Sequence, residues 1–498
     1  MNGFRWHLIP AVFLVAACST CSTSAQVVSA EAKRNDHSAS TNPGERQQEC
    51  SRASGSSSRI ADSNESPGVT IAPFSADITI PPGHRCMGIL PTLAASVDDP
   101  LDAHGFVLCG GEKPIVLLAL DWCEVRNGAY DQWREALAEA AGTTRERVLV
   151  SSLHQHDAPV TDSGAQDYLD GVGLPRALFH REFQAECMAR VVMAMKESLR
   201  HPKPVTHLGH GQAKVLHVAS SRRVVFPDGR ISYDRYSSAG GDSFLMSTDE
   251  GDIDPWLKTM SFWNGDQPIL ALHSYATHPM SSYGKGAVSA DFVGRARRLR
   301  EADDSGVAQI YVSGCSGDVT AGKYNDGTPA MRPLLADRLH KAMQEAWRAT
   351  VKTELTASSI QFRNALLELP FNEDPEFTRA ALIATLEDKQ KPERERILAA
   401  MSLSSLDRVE RGQAIDVPCV DFGAARILLL PGETFVGYQL LAQQLSGDVM
   451  TLCIGYGECW PGYIPTQSAF DEKFNHDWRW VSTAAAGPME KVLREVLE

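Results

Sequence analysis

His154-Gln155-His156 sets two imidazoles two residues apart, and in an extended segment that spacing puts both on one side of the chain, where they can converge on one centre. Zinc takes neutral imidazole and carboxylate in tetrahedral geometry, and a catalytic site needs three or four protein ligands plus a position for water or substrate. One histidine pair does not supply that set, and a pair standing alone is more often two solvent-facing or core-capping side chains. His278, in Ser274-Tyr275-Ala276-Thr277-His278-Pro279, and Glu433, in Leu430-Pro431-Gly432-Glu433, would complete it. Each stands beside a proline or glycine that re-aims the backbone.

Such residues need rigid elements to aim them, and the hydrophobic pattern supplies a strand before each cluster. Residues 114–125 (PIVLLALDWCEV) form a continuous apolar run that predicts a buried strand, and 130–141 predict a helix stopped by Gly142. A strand at 147–153 precedes His154 and His156, and one at 269–276 precedes His278. One at 309–313 precedes Asp318 and Thr320, one at 425–430 precedes Glu433, and one at 449–454 leads to Tyr463. Helices are expected at 291–302, 331–350, within 376–402 and at 435–445, with a further strand at 360–367. This alternation predicts an α/β fold with a mixed or mostly parallel sheet flanked by helices and a metal site at the C-terminal ends of strands, where open α/β sheets place their sites.

In order and spacing these motifs resemble the N-terminal catalytic domain of the neutral/alkaline non-lysosomal ceramidases. Asp77-Ile78-Thr79-Ile80-Pro81-Pro82 is similar to the family's opening element, read here as a short strand with a proline stop. Ser151-Ser152-Leu153-His154-Gln155-His156, with Pro159 nearby, resembles its paired-histidine element, and Ala276-Thr277-His278-Pro279 its second-histidine strand. Gly317-Asp318-Val319-Thr320, Pro431-Gly432-Glu433 and Gly462-Tyr463-Ile464-Pro465-Thr466 are similar to three more. The resemblance implies a zinc ion on His154, His278, Glu433 and Tyr463, with His156 contacting substrate or supporting a ligand. Zinc would hold the tyrosine as phenolate. Arg222-Arg223 resembles an arginine element that would bind a carboxylate or a developing oxyanion.

The implied reaction is hydrolysis of an amide (N-acyl) bond, with His156, Asp318 or Thr320 handling protons or the oxyanion. Thr320 stands where the family has its serine and is followed by Ala321-Gly322 instead of Pro-Asn. It serves either as nucleophile or as a hydrogen-bonding group while an activated water attacks, the second role being the expected one. The chain stops at Glu498 without residues resembling the β-sandwich domain of ceramidases, so ceramide itself is not carried over. Two alternatives remain: a zinc hydrolase of the same fold acting on another ester, glycan or lipid, and a non-catalytic binding protein tethered at a surface.

Composition narrows the partners. A net charge of −14 repels phosphate backbones, which excludes nucleic acid, and leaves a small-molecule or lipid amide as the expected ligand. Arg5 and His7 before the apolar run 8–17 predict an export signal over 1–25. Val15-Ala16-Ala17-Cys18 resembles a lipobox that would make the chain a membrane-anchored lipoprotein, against ordinary cleavage near Ala25 into the periplasm or medium. Residues 26–71 are polar enough to predict a disordered tether, with one catalytic domain over 72–498. The eleven cysteines show no spacing that fixes a disulfide pairing.

Overall fold

The computed structural model describes residues 68–86 and 90–498. The expected export signal with Cys18, and the expected tether as far as residue 67, lie outside these residues.

Three sheets carry the described chain. The first runs Lys203–Pro204, Thr70–Asp77, Asp102–Cys109, Ile115–Leu120, Val148–Ser152 in spatial order. The second runs Ala308–Ser313, Gln267–Tyr275, Trp256–Asn264, His207–Lys214, Val351–Glu354, and the third Gln361–Leu367, Ile415–Asp421, Ala425–Leu429, Met450–Ile454. Each sheet is antiparallel except for one parallel pair at an edge: Ile115–Leu120 with Val148–Ser152, Gln267–Tyr275 with Ala308–Ser313, and Ala425–Leu429 with Met450–Ile454. The sheets are therefore mixed, as expected, and the parallel pairs hold the strands whose C-terminal ends lead to the polar clusters.

Alternation along these strands gives each sheet two buried faces, which is why they read as continuous apolar runs. Leu117, Ala119 and Leu149 of the first sheet meet Leu270, Leu272, Ile310 and Val312 of the second and Ile427, Leu429, Leu452 and Ile454 of the third in one inner core. The opposite faces are covered by helices. Val116, Leu118 and Val150 lie in the same cluster as Trp133 and Leu137 of the helix Asn127–Ala141 and Val191 of Arg181–Ser198. Asp291–Asp303 and Met331–Arg348 cover the second sheet, and Val436–Leu445 with Ala486–Leu497 cover the third.

Two expectations change. The run 114–125 is two strands, Ile115–Leu120 and Glu124–Arg126, because the chain turns at Asp121, whose carboxylate takes both terminal nitrogens of the buried Arg297 at 2.7 and 2.8 Å. Glu124–Arg126 then pairs in parallel with Val160–Asp162. The opening strand is Thr70–Asp77 in place of the one expected at Asp77–Ile80; Ile78 and Ile80 are buried anchors in a loop. Pro73 is tolerated in it because the neighbour on that side, Lys203–Pro204, pairs only with Thr70 and Ile71.

Candidate metal centre

The strand Val148–Ser152 continues its pairing past its end, with the Leu153 N–H donating to the Leu120 carbonyl and the His154 N–H to that of Trp122. His154 then takes φ 65°, a left-handed conformation that costs a non-glycine residue energy and turns its ring away from the strand direction. His278 follows Gln267–Tyr275, its N–H bonded to the Val319 carbonyl. Glu433 and Tyr463 face each other in the register of a two-residue parallel pair, Glu433–Thr434 with Tyr463–Ile464. Glycines let these segments close up: a Cβ at Gly317 would strike the Glu433 carbonyl, and one at Gly462 the carbonyl of Trp478 and the ring of Trp480.

Three expected ligands converge. Glu433 Oε2 lies 2.9 Å from His278 Nε2 and 3.3 Å from His154 Nε2, all on side chains about as buried as any in the molecule. His278 Nδ1 points at the carbonyls of Ser316 (2.6 Å) and Val319 (3.1 Å), so Nδ1 carries the proton and a neutral ring presents its Nε2 lone pair to Glu433. A lone pair aimed at a carboxylate is repulsive unless a cation lies between them or the ring is protonated. Imidazole and carboxylate donors arranged this way suit a first-row divalent cation. Burial pushes the Glu433 carboxyl up, but the His154 imidazole outweighs it and holds it well below the usual carboxylate range.

Tyr463 stands beside these three on the side of Arg222, its ring centroid 6.3 Å from that of His278. The Arg222 guanidinium, 3% exposed, donates to the Tyr463 oxygen at 2.8 Å. Burial pushes the phenol well above its ordinary value, and Arg222 acts the other way without overcoming it.

His154, Glu433, Tyr463 and Arg222 line a cavity of about 270 Å³ together with His156, Thr320, Tyr236, Tyr283, Trp478 and, at one side, the ion pair Arg394–Asp477 at 2.7 Å, whereas His278 does not line it. Burial pushes the His156 ring well below the ordinary histidine value, so it is neutral near pH 7.

Two expected residues are not brought to the cavity. Asp318 does not line it, and accepts the Val436 N–H at 2.7 Å, anchoring the start of the helix Val436–Leu445. Arg223 turns the other way and pairs bidentately with Glu472 at 2.7 and 2.8 Å. Thr320 does line the cavity, but its hydroxyl is 2.8 Å from the Tyr236 carbonyl and 3.1 Å from that of Arg235, and accepts the Gly322 N–H. Its hydrogen bonds are all to backbone, with none to an imidazole or carboxylate that would activate it.

Sequence reasoning missed Glu124, Cys123 and His476. Glu124 is fully buried, with Oε1 3.5 Å from His154 Nδ1, and is itself held by the Trp478 indole N–H and by Arg126, each at 2.9 Å. A carboxylate behind a ligand histidine orients the ring and raises its donor strength. Cys123 and His476 line the cavity. The available signal for the first two was the end of the apolar run at Leu120, after which Cys123 and Glu124 stand just beyond a strand end, as the other clusters do.

No family model matches the chain, and no curated protein matches it in sequence. In structure it is similar to the neutral ceramidase from Pseudomonas aeruginosa, with a TM-score of 0.61 and 15% identity over 86% of this chain and 74% of that one. It is likewise similar to a ceramidase complexed with C2, with a TM-score of 0.61 and 14% identity over 86% of this chain and 75% of that one. Three mixed sheets around one inner core, with a buried cluster of histidine, glutamate and tyrosine at their parallel edges, are thus a neutral ceramidase-like fold.

Proposed function

We propose that this chain is a zinc-dependent hydrolase that cleaves an N-acyl amide bond. The observation that carries the reading is the convergence of His154, His278 and Glu433 on one point, beside Tyr463 and Arg222, at a cavity whose wall includes His154, Glu433, Tyr463 and Arg222. These donors fit a zinc ion, with His154, His278, Glu433 and Tyr463 as its holders. When bound there, the ion supplies Lewis acidity toward a carbonyl and makes a water acidic enough to attack near neutral pH.

The chain's own groups do the remaining work. His156, neutral and on the cavity wall, takes the proton of the attacking water at a ring nitrogen and returns it to the departing amine. Arg222 holds the Tyr463 oxygen and places a fixed positive charge beside the oxygen on which negative charge develops. Glu124 keeps the His154 ring in one orientation. Thr320, bonded to the Tyr236 carbonyl, shapes the wall and leaves the attack to water.

A cavity of about 270 Å³ bounded by Arg394, Asp477 and His476 favours a compact acyl group over a long chain, and keeps another small ester or N-acyl compound as the second reading. Export, by lipidated Cys18 or by ordinary cleavage, is proposed with it from the residues at the start of the sequence. The test is a series of N-acyl and ester substrates of increasing chain length, assayed with the zinc-loaded chain and after chelation. Zinc-dependent release of amine from short acyl amides is the expected result. Ester cleavage alone supports the second reading, and no turnover of any member rejects both.

A further inference from the structure

On the far side of the His154 ring from Glu433 stands Cys123, a donor that the reaction does not use, and with His154 and His156 it makes up a second group. One ligand atom each from Cys123, His154 and His156 lie within 4.8 Å of one another. Among the described residues Cys123 is the one cysteine gathered with two other metal-ligating side chains. Its sulfur is 3.9 Å from His154 Nδ1, the nitrogen opposite the one that faces Glu433. His156 Nδ1 is enclosed and has no hydrogen-bond partner in the protein. Both Cys123 and His156 line the cavity, so an ion that reaches the first set also reaches this one.

The two sets differ in chemistry. His154, His278, Glu433 and Tyr463 offer nitrogen and oxygen, whereas Cys123, His154 and His156 offer sulfur and nitrogen. Thiolate selects soft cations, and carboxylate and phenolate select harder ones. The sets share His154, and a neutral imidazole has one lone pair, so His154 serves one set at a time.

We propose that Cys123, His154 and His156 form a second metal seat, selective for thiophilic divalent cations, whose occupation takes His154 from the first seat and expels the ion there. Binding forms a sulfur–metal bond and releases the thiol proton to solvent. The seat depends on these three side chains, and its effect on the first seat rests on the zinc site proposed above.

The test uses the full chain, loaded with zinc and titrated with cadmium, following thiolate-to-cadmium charge-transfer absorption in the ultraviolet and the zinc released. The expected result is one absorbing cadmium per chain, appearing in step with loss of one zinc. Cys123→Ser should lose the band and still hold zinc. His156→Gln, which leaves the sulfur in place, should need more cadmium for half-saturation of the band. A wild-type chain without the band, a band that survives Cys123→Ser unchanged, or a chain holding zinc and thiolate-bound cadmium together would each overturn the proposal.

Discussion

A ligand that can swing binds metal weakly, and Glu124 is what stops His154 from swinging. With Trp478 and Arg126 fixing it in turn, Glu124→Gln should lower zinc affinity about 10- to 100-fold, read by competition with a chelator of known affinity. Unchanged affinity in the folded variant would remove Glu124 from the site. Thr320 gives a second residue-scale prediction because its hydroxyl is bonded to backbone. Thr320→Val should lower kcat by less than about tenfold, where loss of a true nucleophile costs on the order of 10⁴-fold or more. A drop of the larger kind would make Thr320 the attacking group. That His154, His278 and Glu433 come together was legible in the sequence because each follows an apolar run, and His278 and Glu433 sit next to proline or glycine. Asp318 was misread for the same reason: a position after a strand also suits a residue that anchors the next helix, and only its contact with the Val436 N–H separates the two roles.

Short backbone pairs set the spacing of the site, and glycine decides whether they can form. Gly462 and Gly447 share φ 60°, yet a Cβ at Gly462 meets Trp478 and Trp480 while one at Gly447 meets open space. Gly447→Ala should therefore cost only the strain of the left-handed conformation, about 1 kcal/mol. Gly462→Ala adds overpacking of about 1–3 kcal/mol and pushes the Tyr463 segment off its partner at Glu433, so zinc affinity falls with stability. Denaturant titration and metal binding on both variants check this, and equal effects would contradict it. Elements with strong local signals were found close to their true bounds, such as Met331–Arg348 and the helix ended by Gly142. The ones missed carry weak signals. His207–Lys214 (HLGHGQAK) has no β-branched residue and is a strand because Trp256–Asn264 and Val351–Glu354 pair with it from either side. The helix Arg181–Ser198 buries only Gln184, Cys187, Val191 and Met195, a stripe too narrow and too polar to stand out.

At the scale of the whole molecule, burial of ionisable groups ties stability to pH. His273 is held neutral between Thr259 and Gln309, and burial lowers its pKa from 6.5 to about 4; His84 is lowered to about 4 for the same reason. Their folded values lie below the unfolded one, so on acidification the unfolded chain takes up protons first. The stability they contribute is fully present above 6.5 and is lost as pH falls toward 4. Glu458 works in the opposite sense: burial raises it from 4.5 to about 7, so its contribution is lost as pH rises through that window. His273→Asn should flatten the fall in stability between pH 6.5 and 4 by up to about 3 kcal/mol, measured by calorimetry at several pH values. An unchanged slope would mean that His273 is protonated in the native chain.

Three sheets meeting at one core were beyond what a single pattern of alternating elements could specify, since nothing local says which strands share a sheet. The strand–helix–strand runs behind the parallel pairs were legible, because parallel strands need helical crossovers and the sequence shows them, but not that each pair would be a single edge of an otherwise antiparallel sheet. Those edges hold the candidate metal centre, on which the whole account rests. The most direct test is zinc content per folded chain, measured by mass spectrometry in parallel with N-acyl amide turnover, for the wild type and for His278→Ala. The account predicts about one zinc per wild-type chain, with zinc and turnover both lost in the variant. Full retention of metal in folded His278→Ala would contradict it.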